Sequence, residues 1–491
     1  MMDIADHTRQ HLIWIWIALA VVFIASALIL LPITSAVVVM GGTLAALALL
    51  RWHELALYAL IFAVPYGTWF PLPTGFGNLT AVDLFVALVS VLWFIRMMVQ
   101  DRSISIRWPA LSLPFALFLC TALLSMTVTQ SLEASIKEFT KWLEMFAIYV
   151  YVANNLDEAK AQRALAMVFL AGISQAAIGI YQFIFKWGPE GFLLFGRFIR
   201  AFGTFEQPNP YAGYLALIAP VALGFAFAVF SNHAQRLVFR RRAGESEYWL
   251  LNTGYFGLAI IALVATLTAI VMSWSRGAWL GVGAGLIVTI VVQSRRAFIM
   301  SLIAAFVLTF AILLSSINLI PSVVADRFSG ITDYFGVFDV RGVKVDDANY
   351  AIVERMAHWQ SAAMMFAARP ILGVGIGNYA TAYPQFSLPR WDDPLGHAHN
   401  YYLNVAAETG LMGLGAYLIL WASAFWQSWR AVRTSNASSV WRGIAAGLLG
   451  MLVALSMHNA FDNLFVHGMA VQVGIGLGLV AVINDSVKRK A

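Results

Sequence analysis

Apolar runs close to 20 residues long recur from one end of the chain to the other, divided mostly by short polar turns. They fall at 12–31, 35–50, 54–70, 80–99, 109–128, 139–153, 162–185, 210–230, 249–272, 277–293, 297–320, 400–426, 441–457 and 464–483. About 20 apolar residues wound as a helix span the hydrocarbon core of a bilayer. The pattern therefore predicts an all-α polytopic membrane protein with about 12–14 transmembrane helices. The lower bound reflects two weak runs, one holding Pro65 and the other Lys141 and Glu144. The first run, Leu12 to Leu31, lacks a small-residue cleavage site and is followed by many others, so it is expected to be a span and not a removed signal peptide.

Two of the intervening segments are long and polar: Lys186 to Pro208, and Pro321 to about His399. Only the second resembles a small soluble subdomain. Within it Ile352, Met356, Trp359, Ala363 and Phe366 recur at helical spacing, which predicts an amphipathic helix ended by Arg369-Pro370.

Composition agrees with the pattern. Only 11% of the 491 residues are charged and 60% are hydrophobic, against about 25% charged in a soluble domain. An ordinary soluble enzyme, a disordered chain and a disulfide-rich secreted domain are excluded. The single cysteine, Cys120, lies in an apolar run and is expected to be a small buried hydrophobe.

A net charge of +6 would suit a nucleic-acid partner if the basic residues clustered, but they are scattered through short turns. With a cytoplasmic N-terminus and alternating spans, the inner segments hold Arg9; Arg51; Arg96, Arg102 and Arg107; Lys160 and Arg163; Arg236 and Arg240 to Arg242; Arg295 and Arg296; Arg430, Arg433 and Arg442; and Lys488 to Lys490. These are 19 of the 31 Lys and Arg. Such a bias orients membrane proteins. It predicts both termini in the cytoplasm, both long polar segments on the outer face, and a lipid bilayer, not nucleic acid, as the partner. Trp52, Trp69, Trp108 and Trp187 near span ends suit interfacial anchors.

The remaining charges are the informative ones, because a charge at mid-bilayer costs roughly 2.5–3.5 kcal/mol on insertion scales. Arg276 sits in Ser273-Trp274-Ser275-Arg276-Gly277 between two apolar runs. It either snorkels to the interface or lines a cavity that receives an anion such as phosphate, whose oxygens a guanidinium grips with two N–H groups. Gly277, Gly281 and Gly285 follow at every fourth position, a small-residue packing face. Arg200, with Arg197 one turn earlier, opens Arg200-Ala201-Phe202-Gly203-Thr204-Phe205-Glu206-Gln207-Pro208-Asn209-Pro210, an ordered turn before a helix start. Arg355 lies on the amphipathic helix, with His358 three residues on.

Gly373-Val374-Gly375-Ile376-Gly377-Asn378-Tyr379 mimics a dinucleotide fingerprint without its strand–helix–strand setting, so a tight turn is expected there. His397 and His399 lie in His397-Ala398-His399-Asn400, where the large loop meets the next span. A histidine at a membrane-surface cleft suits general-base work. The pair could also ligate a metal, but no third ligand cluster is apparent in the sequence, and neither metal nor cofactor is expected. Glu408-Thr409-Gly410 and His458-Asn459-Ala460-Phe461-Asp462-Asn463 add polar groups in or beside spans.

Five segments occur in order: Gly203-Thr204-Phe205 with Asn209 and Pro210; Ser275-Arg276-Gly277; Arg355 with Trp359; Gly373-Val374-Gly375; and His399-Asn400 leading to Glu408 and Gly410. This ordered set resembles the O-antigen ligase superfamily, which includes O-antigen ligases, O-antigen polymerases and membrane O-oligosaccharyltransferases. The resemblance covers about residues 195–425. It implies N-terminal transmembrane helices over 1–194, an O-antigen ligase-like core over 195–426 that includes the outer loop 321–399, and C-terminal transmembrane helices over 427–491.

It further implies a metal-independent, inverting glycosyltransferase of the bacterial inner membrane with its active site on the outer face. The donor would be a glycan on polyprenyl, typically undecaprenyl, diphosphate. The acceptor would be a hydroxyl on another glycan, on lipid A-core or on a protein. By position His399 would be catalytic, Arg276 and Arg355 would bind the diphosphate with Arg200, and His397, Asn400 and Glu408 would support them. A transporter would instead show two matching halves with ionisable groups at the midplane. No such symmetry is present in the sequence.

Overall fold

The computed structural model describes residues 49, 52, 54–69, 72–74, 77–194, 196–239, 246–293, 298–299, 302–303, 339–346, 349–436 and 439–490. Among them thirteen α-helices make up nearly all the regular structure. These are α1 (Glu54–Ala63), α2 (Ala81–Val99), α3 (Ser112–Ser125), α4 (Leu132–Asn155), α5 (Glu158–Phe185), α6 (Pro208–Phe239) and α7 (Ser246–Ser273). They continue with α8 (Arg276–Val291), α9 (Tyr350–Ala368), α10 (Tyr379–Ala382), α11 (Tyr401–Thr434), α12 (Val440–Asn459) and α13 (Met469–Lys490). The strands described are two short antiparallel pairs, Leu72–Thr74 with Gly77–Leu79 and Leu193–Leu194 with Phe198–Ile199. The chain divides into two units, Met1–Leu57 with Val91–Ile104, and Tyr58–Ser90 with Ser105–Ala491. Every predicted site residue belongs to the second.

The protein is an all-α polytopic membrane protein. Seven described helices are long and apolar enough to cross a bilayer, and the segments around α1, α3 and α8 form shorter apolar helices. Eleven of the predicted spans coincide with α1–α8 and α11–α13. The predicted span 12–31, nearly all of 35–50 and of 297–320, and residues 321–338 of the large loop lie outside the described residues. Cys120 was expected to be buried and is instead exposed. It lies on the outward side of α3, where apolar neighbours such as Leu113 (79% exposed) also point away from the protein.

Small residues set the close packing at the centre of the second unit. A Cβ on Gly277, Gly281 or Gly285 of α8 would stand 2.9 Å from the His458 ring, 2.8 Å from the Ala454 carbonyl oxygen and 2.5 Å from the Gly450 carbonyl oxygen respectively. The glycine stripe therefore lies antiparallel against every fourth residue of α12, as a small-residue helix face should. Gly281→Val would force this backbone contact apart at a cost of about 1–3 kcal/mol. The expected result is a lower thermal midpoint for the detergent-solubilised variant, whereas valine at Gly283, where added atoms meet nothing within 4 Å, leaves it unchanged.

The large loop folds around cores of its own. Val340, Val353, Met356, Ala357, Leu388 and Trp391 form one cluster, and Ala362, Met365, Val374, Tyr379, Ala382, Tyr383 and Ala398 join Ala407 of α11 in another. Helix α9 ends at Ala368, just before Arg369-Pro370, as expected. Its buried face is rotated from the predicted one: Ala363 is exposed and Phe366 half-buried, while Val353, Ala357, Ser361 and Met365 are buried. The helix is covered on two sides, by the loop and by α11, so a single apolar stripe understates what it buries.

The glycine string forms the predicted tight turn and is a strap laid along a break in α11. Gly410 has φ +63° and ψ −163° inside that helix, and the strap pairs with the interrupted ladder. Val374 N–H donates to the Ala407 carbonyl (2.9 Å), Gly375 N–H to that of Glu408 (2.9 Å), and Leu411 N–H to that of Pro370 (2.8 Å). A Cβ on Gly373 would lie 2.4 Å from the backbone of Glu408, and one on Gly410 2.3 Å from that of Ile371. Positive φ at both positions adds a second reason for glycine.

Candidate functional site

Three guanidinium groups reach one cavity from three separate elements. Arg276 is the first residue of α8, Arg355 lies on α9 and Arg200 precedes α6. They line a cavity of about 170 Å³ with Asn209, His458 and Asp462. Each is placed by local chemistry. Trp274 takes φ +58°, uncommon outside glycine, and so reverses the chain between α7 and α8. Ser273 Oγ accepts the Ser275 N–H across that turn (3.2 Å).

The turn after Arg200 is clamped by two buried glutamines of α5. Gln182 Oε1 accepts the Phe202 and Gly203 N–H groups at 3.0 and 2.7 Å, and Gln175 Oε1 accepts that of Thr204 at 3.2 Å. Arg200 Nε donates to the Ser273 carbonyl at 2.9 Å, tying this turn to the one that carries Arg276. Arg197, the sequence alternative, is exposed and stacks its guanidinium on Phe198.

Asp462 joins this cavity to the histidines. Arg200 donates to Asn209 Oδ1 (3.4 Å), and Asn209 Nδ2 donates to Asp462 Oδ2 (3.0 Å). The other carboxylate oxygen stands 3.4 Å from His399 Nδ1 and 3.7 Å from His397 Nε2. Burial works to raise the Asp462 carboxyl, but the contact with His399 and the charges of His399, His397 and Arg355 outweigh it and hold the group well below the usual carboxylate range. Asp462 is therefore an anion at neutral pH.

Sequence reading noted Asp462 only as one polar group near a span end. Its signal was that no other acid occurs between Glu408 and Asp485. The expected span over 464–483 in fact starts at 469, because residues 460–468 form a non-helical turn held by asparagine side chains. Asn459 Oδ1 accepts the Leu464 N–H and Asn463 Oδ1 that of Phe465, both at 2.9 Å. That turn presents Asp462.

The two histidines are not equivalent. His397 Nδ1 accepts the His399 backbone N–H at 3.1 Å. Burial, then the neighbouring His399 charge, lowers the His397 pKa to about 4 despite Asp462. His399 has φ +51°, its carbonyl accepts the Trp359 indole N–H at 3.1 Å, and its buried Nε2 has no hydrogen-bond partner among the described residues. His399 does not itself line the arginine cavity; it meets it through Asp462. His358 lies behind it, with Nδ1 3.0 Å from the Tyr379 hydroxyl and its ring stacked on Tyr383. Burial and the nearby histidine charges lower the His358 pKa to about 3, so His358 is neutral at neutral pH.

Asn400 and Glu408 do not meet the cavity. Asn400 caps α11, its Oδ1 accepting the Leu403 N–H at 3.1 Å, next to the histidine that the cap positions. Glu408 is buried on α11, and its Oε1 accepts the Tyr379 N–H at 3.1 Å, so it holds the glycine strap. His458 was singled out by sequence only as part of a polar run. It lines the cavity, and neither ring nitrogen has a hydrogen-bond partner among the described residues.

The fold also supplies the third ligand that the sequence did not show. His397, His399 and Asp462 offer atoms within 4.8 Å of one another, a set able to hold a metal ion. The guanidinium groups around Asp462 set a positive field against a dication there, and the same field favours an anionic substrate.

Residues 261–418 match the family model described as O-antigen ligase. The matched stretch is about a third of the chain, and over it the chain is similar to O-antigen ligases. This supports the O-antigen ligase superfamily, and with it a glycosyltransferase function of the ligase or polymerase type in polysaccharide biosynthesis. The matched stretch includes Arg276, Arg355, His397, His399, Asn400 and Glu408, whereas Arg200, His458 and Asp462 lie outside it and reach the site through the fold. A search of curated proteins finds no match to the chain.

Proposed function

We propose that the protein transfers a glycan from a polyprenyl diphosphate, undecaprenyl diphosphate in particular, to an acceptor hydroxyl with inversion at the anomeric carbon. The observation that carries this reading is the meeting of three guanidinium groups with Asp462 on one cavity, and the contact of that carboxylate with His399 behind it. In the step, the bond from the anomeric carbon to the diphosphate oxygen breaks, and its electron pair leaves on the diphosphate. Arg276, Arg355 and Arg200 stabilise that charge. The acceptor oxygen forms the new bond from the opposite side, and its proton passes to His399 Nε2. Asp462 holds the Nδ1–H tautomer and balances the imidazolium that forms, the role of the carboxylate in a catalytic triad.

His399, not His397, is the base in this scheme, because the His397 Nδ1 lone pair is already used and its basicity is lowered. The positive-inside bias supports an inner-membrane protein with both termini in the cytoplasm and this cavity on the outer face. O-antigen ligation to lipid A-core is the leading reaction. Polymerisation onto another lipid-linked glycan, and transfer to a protein hydroxyl, use the same chemistry.

The test supplies the purified protein with a labelled undecaprenyl diphosphate glycan and each acceptor class in turn. Label in one product, with inverted linkage, is the expected result. No transfer to any acceptor, with uptake of the donor into acceptor-free vesicles, overturns the reading in favour of transport. Chelation by EDTA in the same assay is expected to leave the rate unchanged. A loss restored by adding a divalent cation would assign His397, His399 and Asp462 to a metal and remove His399 as the base.

A further inference from the structure

A second cavity, of about 260 Å³, has Arg107, Trp108, Tyr149, Arg430, Asp485 and Lys488 among its walls. Arg430 lies 20 residues past the break at Gly410, about 30 Å along α11, and Lys488 is near the far end of α13. This cavity is thus at the other end of the bundle from His399.

Its charge is unbalanced in one direction. Arg107 pairs with Asp485 and also donates to the Ala153 carbonyl. Arg430 and Lys488 are exposed, and no acid pairs with either among the described residues. Three bases and one acid leave two positive charges at one cavity. A buried acceptor accompanies them. Asn484 is a wall residue whose Nδ2 donates to the Gln427 carbonyl at 3.1 Å, and its buried Oδ1 has no hydrogen-bond partner among the described residues. Apolar surface adjoins the charges: Trp108 is 65% exposed, and Leu113, in the first turn of α3, is 79% exposed.

We propose that this cavity binds the headgroup of an anionic, hydroxyl-bearing phospholipid of the phosphatidylglycerol type. The phosphodiester sits between Arg430 and Lys488, a headgroup hydroxyl donates to Asn484 Oδ1, and an acyl chain follows Trp108 and Leu113 into the bilayer. Basic pockets between helix ends are suited to such headgroups. By the orientation proposed above, the lipid belongs to the inner leaflet. Free phosphate shares the anionic chemistry but offers neither the carbon-bound hydroxyl nor the acyl chain. The inference depends on the membrane reading and not on glycan transfer.

Native mass spectrometry of the full-length, delipidated protein tests it by titration with dioleoyl phosphatidylglycerol and dioleoyl phosphatidylcholine. The expected result is one phosphatidylglycerol bound about 10-fold more tightly than phosphatidylcholine, with most of the preference lost in the Arg430→Gln/Lys488→Gln double variant. A Lys160→Gln/Arg163→Gln control keeps the preference. Because neutralising two helix ends can impair folding, Asn484→Ala provides an independent reading. It weakens phosphatidylglycerol several-fold and leaves phosphatidic acid, which has no headgroup hydroxyl on carbon, unchanged. Equal phosphatidylglycerol binding by the wild type and the double variant overturns the proposal. So does displacement of the bound lipid by millimolar inorganic phosphate, which would assign the cavity to a free anion.

Discussion

Replacing His399 by alanine is expected to slow glycan transfer by about 10²–10⁴-fold, the contribution of a positioned general base. The protein should still fold and insert, because the His399 side chain makes no hydrogen bond on which the fold depends: Nε2 is unpartnered and Nδ1 meets Asp462 only at ion-pair range. Donor binding, read as KM for the lipid diphosphate, should change far less than kcat. A His397→Ala variant separates the two histidines. Losing the Nδ1 acceptor for the His399 backbone N–H loosens the turn, so a smaller fall in kcat is expected. If His397→Ala abolishes transfer while His399→Ala retains full activity, the base is misassigned. Asp462→Asn should resemble His399→Ala in kcat, since an amide can neither hold the productive tautomer with the same strength nor balance imidazolium charge.

Arg276→Ala and Arg355→Ala should each cost about 2.7–4 kcal/mol of transition-state stabilisation, or roughly 10²–10³ in kcat, if each aims N–H donors at the leaving diphosphate. Lysine at either position restores charge but not the paired N–H geometry, so partial recovery is expected. The decisive readout is the leaving group. A donor with a better leaving group needs less charge stabilisation, and the deficit of both variants should shrink with it. Equal deficits for good and poor leaving groups would show that the arginines serve substrate binding or folding. Arg200→Ala is expected to act more broadly, because Arg200 both lines the cavity and orients the Asn209 amide that donates to Asp462.

Several features of this site were legible because they break the economy of a membrane sequence. Arg276 stands between two apolar runs with no loop to carry it into water, and Arg355 and the histidines sit where a polar segment returns to the bilayer. Such placements are costly unless a cavity receives them. Asp462 was equally anomalous, as the lone acid over a long apolar stretch. Its role escaped notice because a carboxylate on one turn says nothing of which histidine, 63 residues earlier, will meet it. The rotated buried face of α9 has a similar origin: sequence periodicity reports one apolar stripe, while this helix is covered by both the loop and α11. Glu408 was expected, from the resemblance, to support the site, and its carboxylate accepts the Tyr379 N–H of the glycine strap, a partner 29 residues away that no local pattern announces.

The sequence by itself determined the class of molecule and the places of most helices. Bilayer thickness and backbone hydrogen bonding leave a run of about 20 apolar residues almost no alternative to a helix. It also determined which polar residues needed an explanation, since each one is expensive in that solvent. Only the tertiary structure decided which of them converge. Arg200, Arg276, Arg355 and Asp462 come from four separate segments, and local chemistry fixes each turn but not the distance between turns. That distance is set by the packing of α8 on α12 through glycines, by the strap across the break at Gly410, and by the glutamine clamp on the turn before α6. These contacts are long-range, and no local pattern encodes them. Cationic and anionic groups from distant segments share one cavity because the packing brings those segments together, in a medium where charges interact strongly.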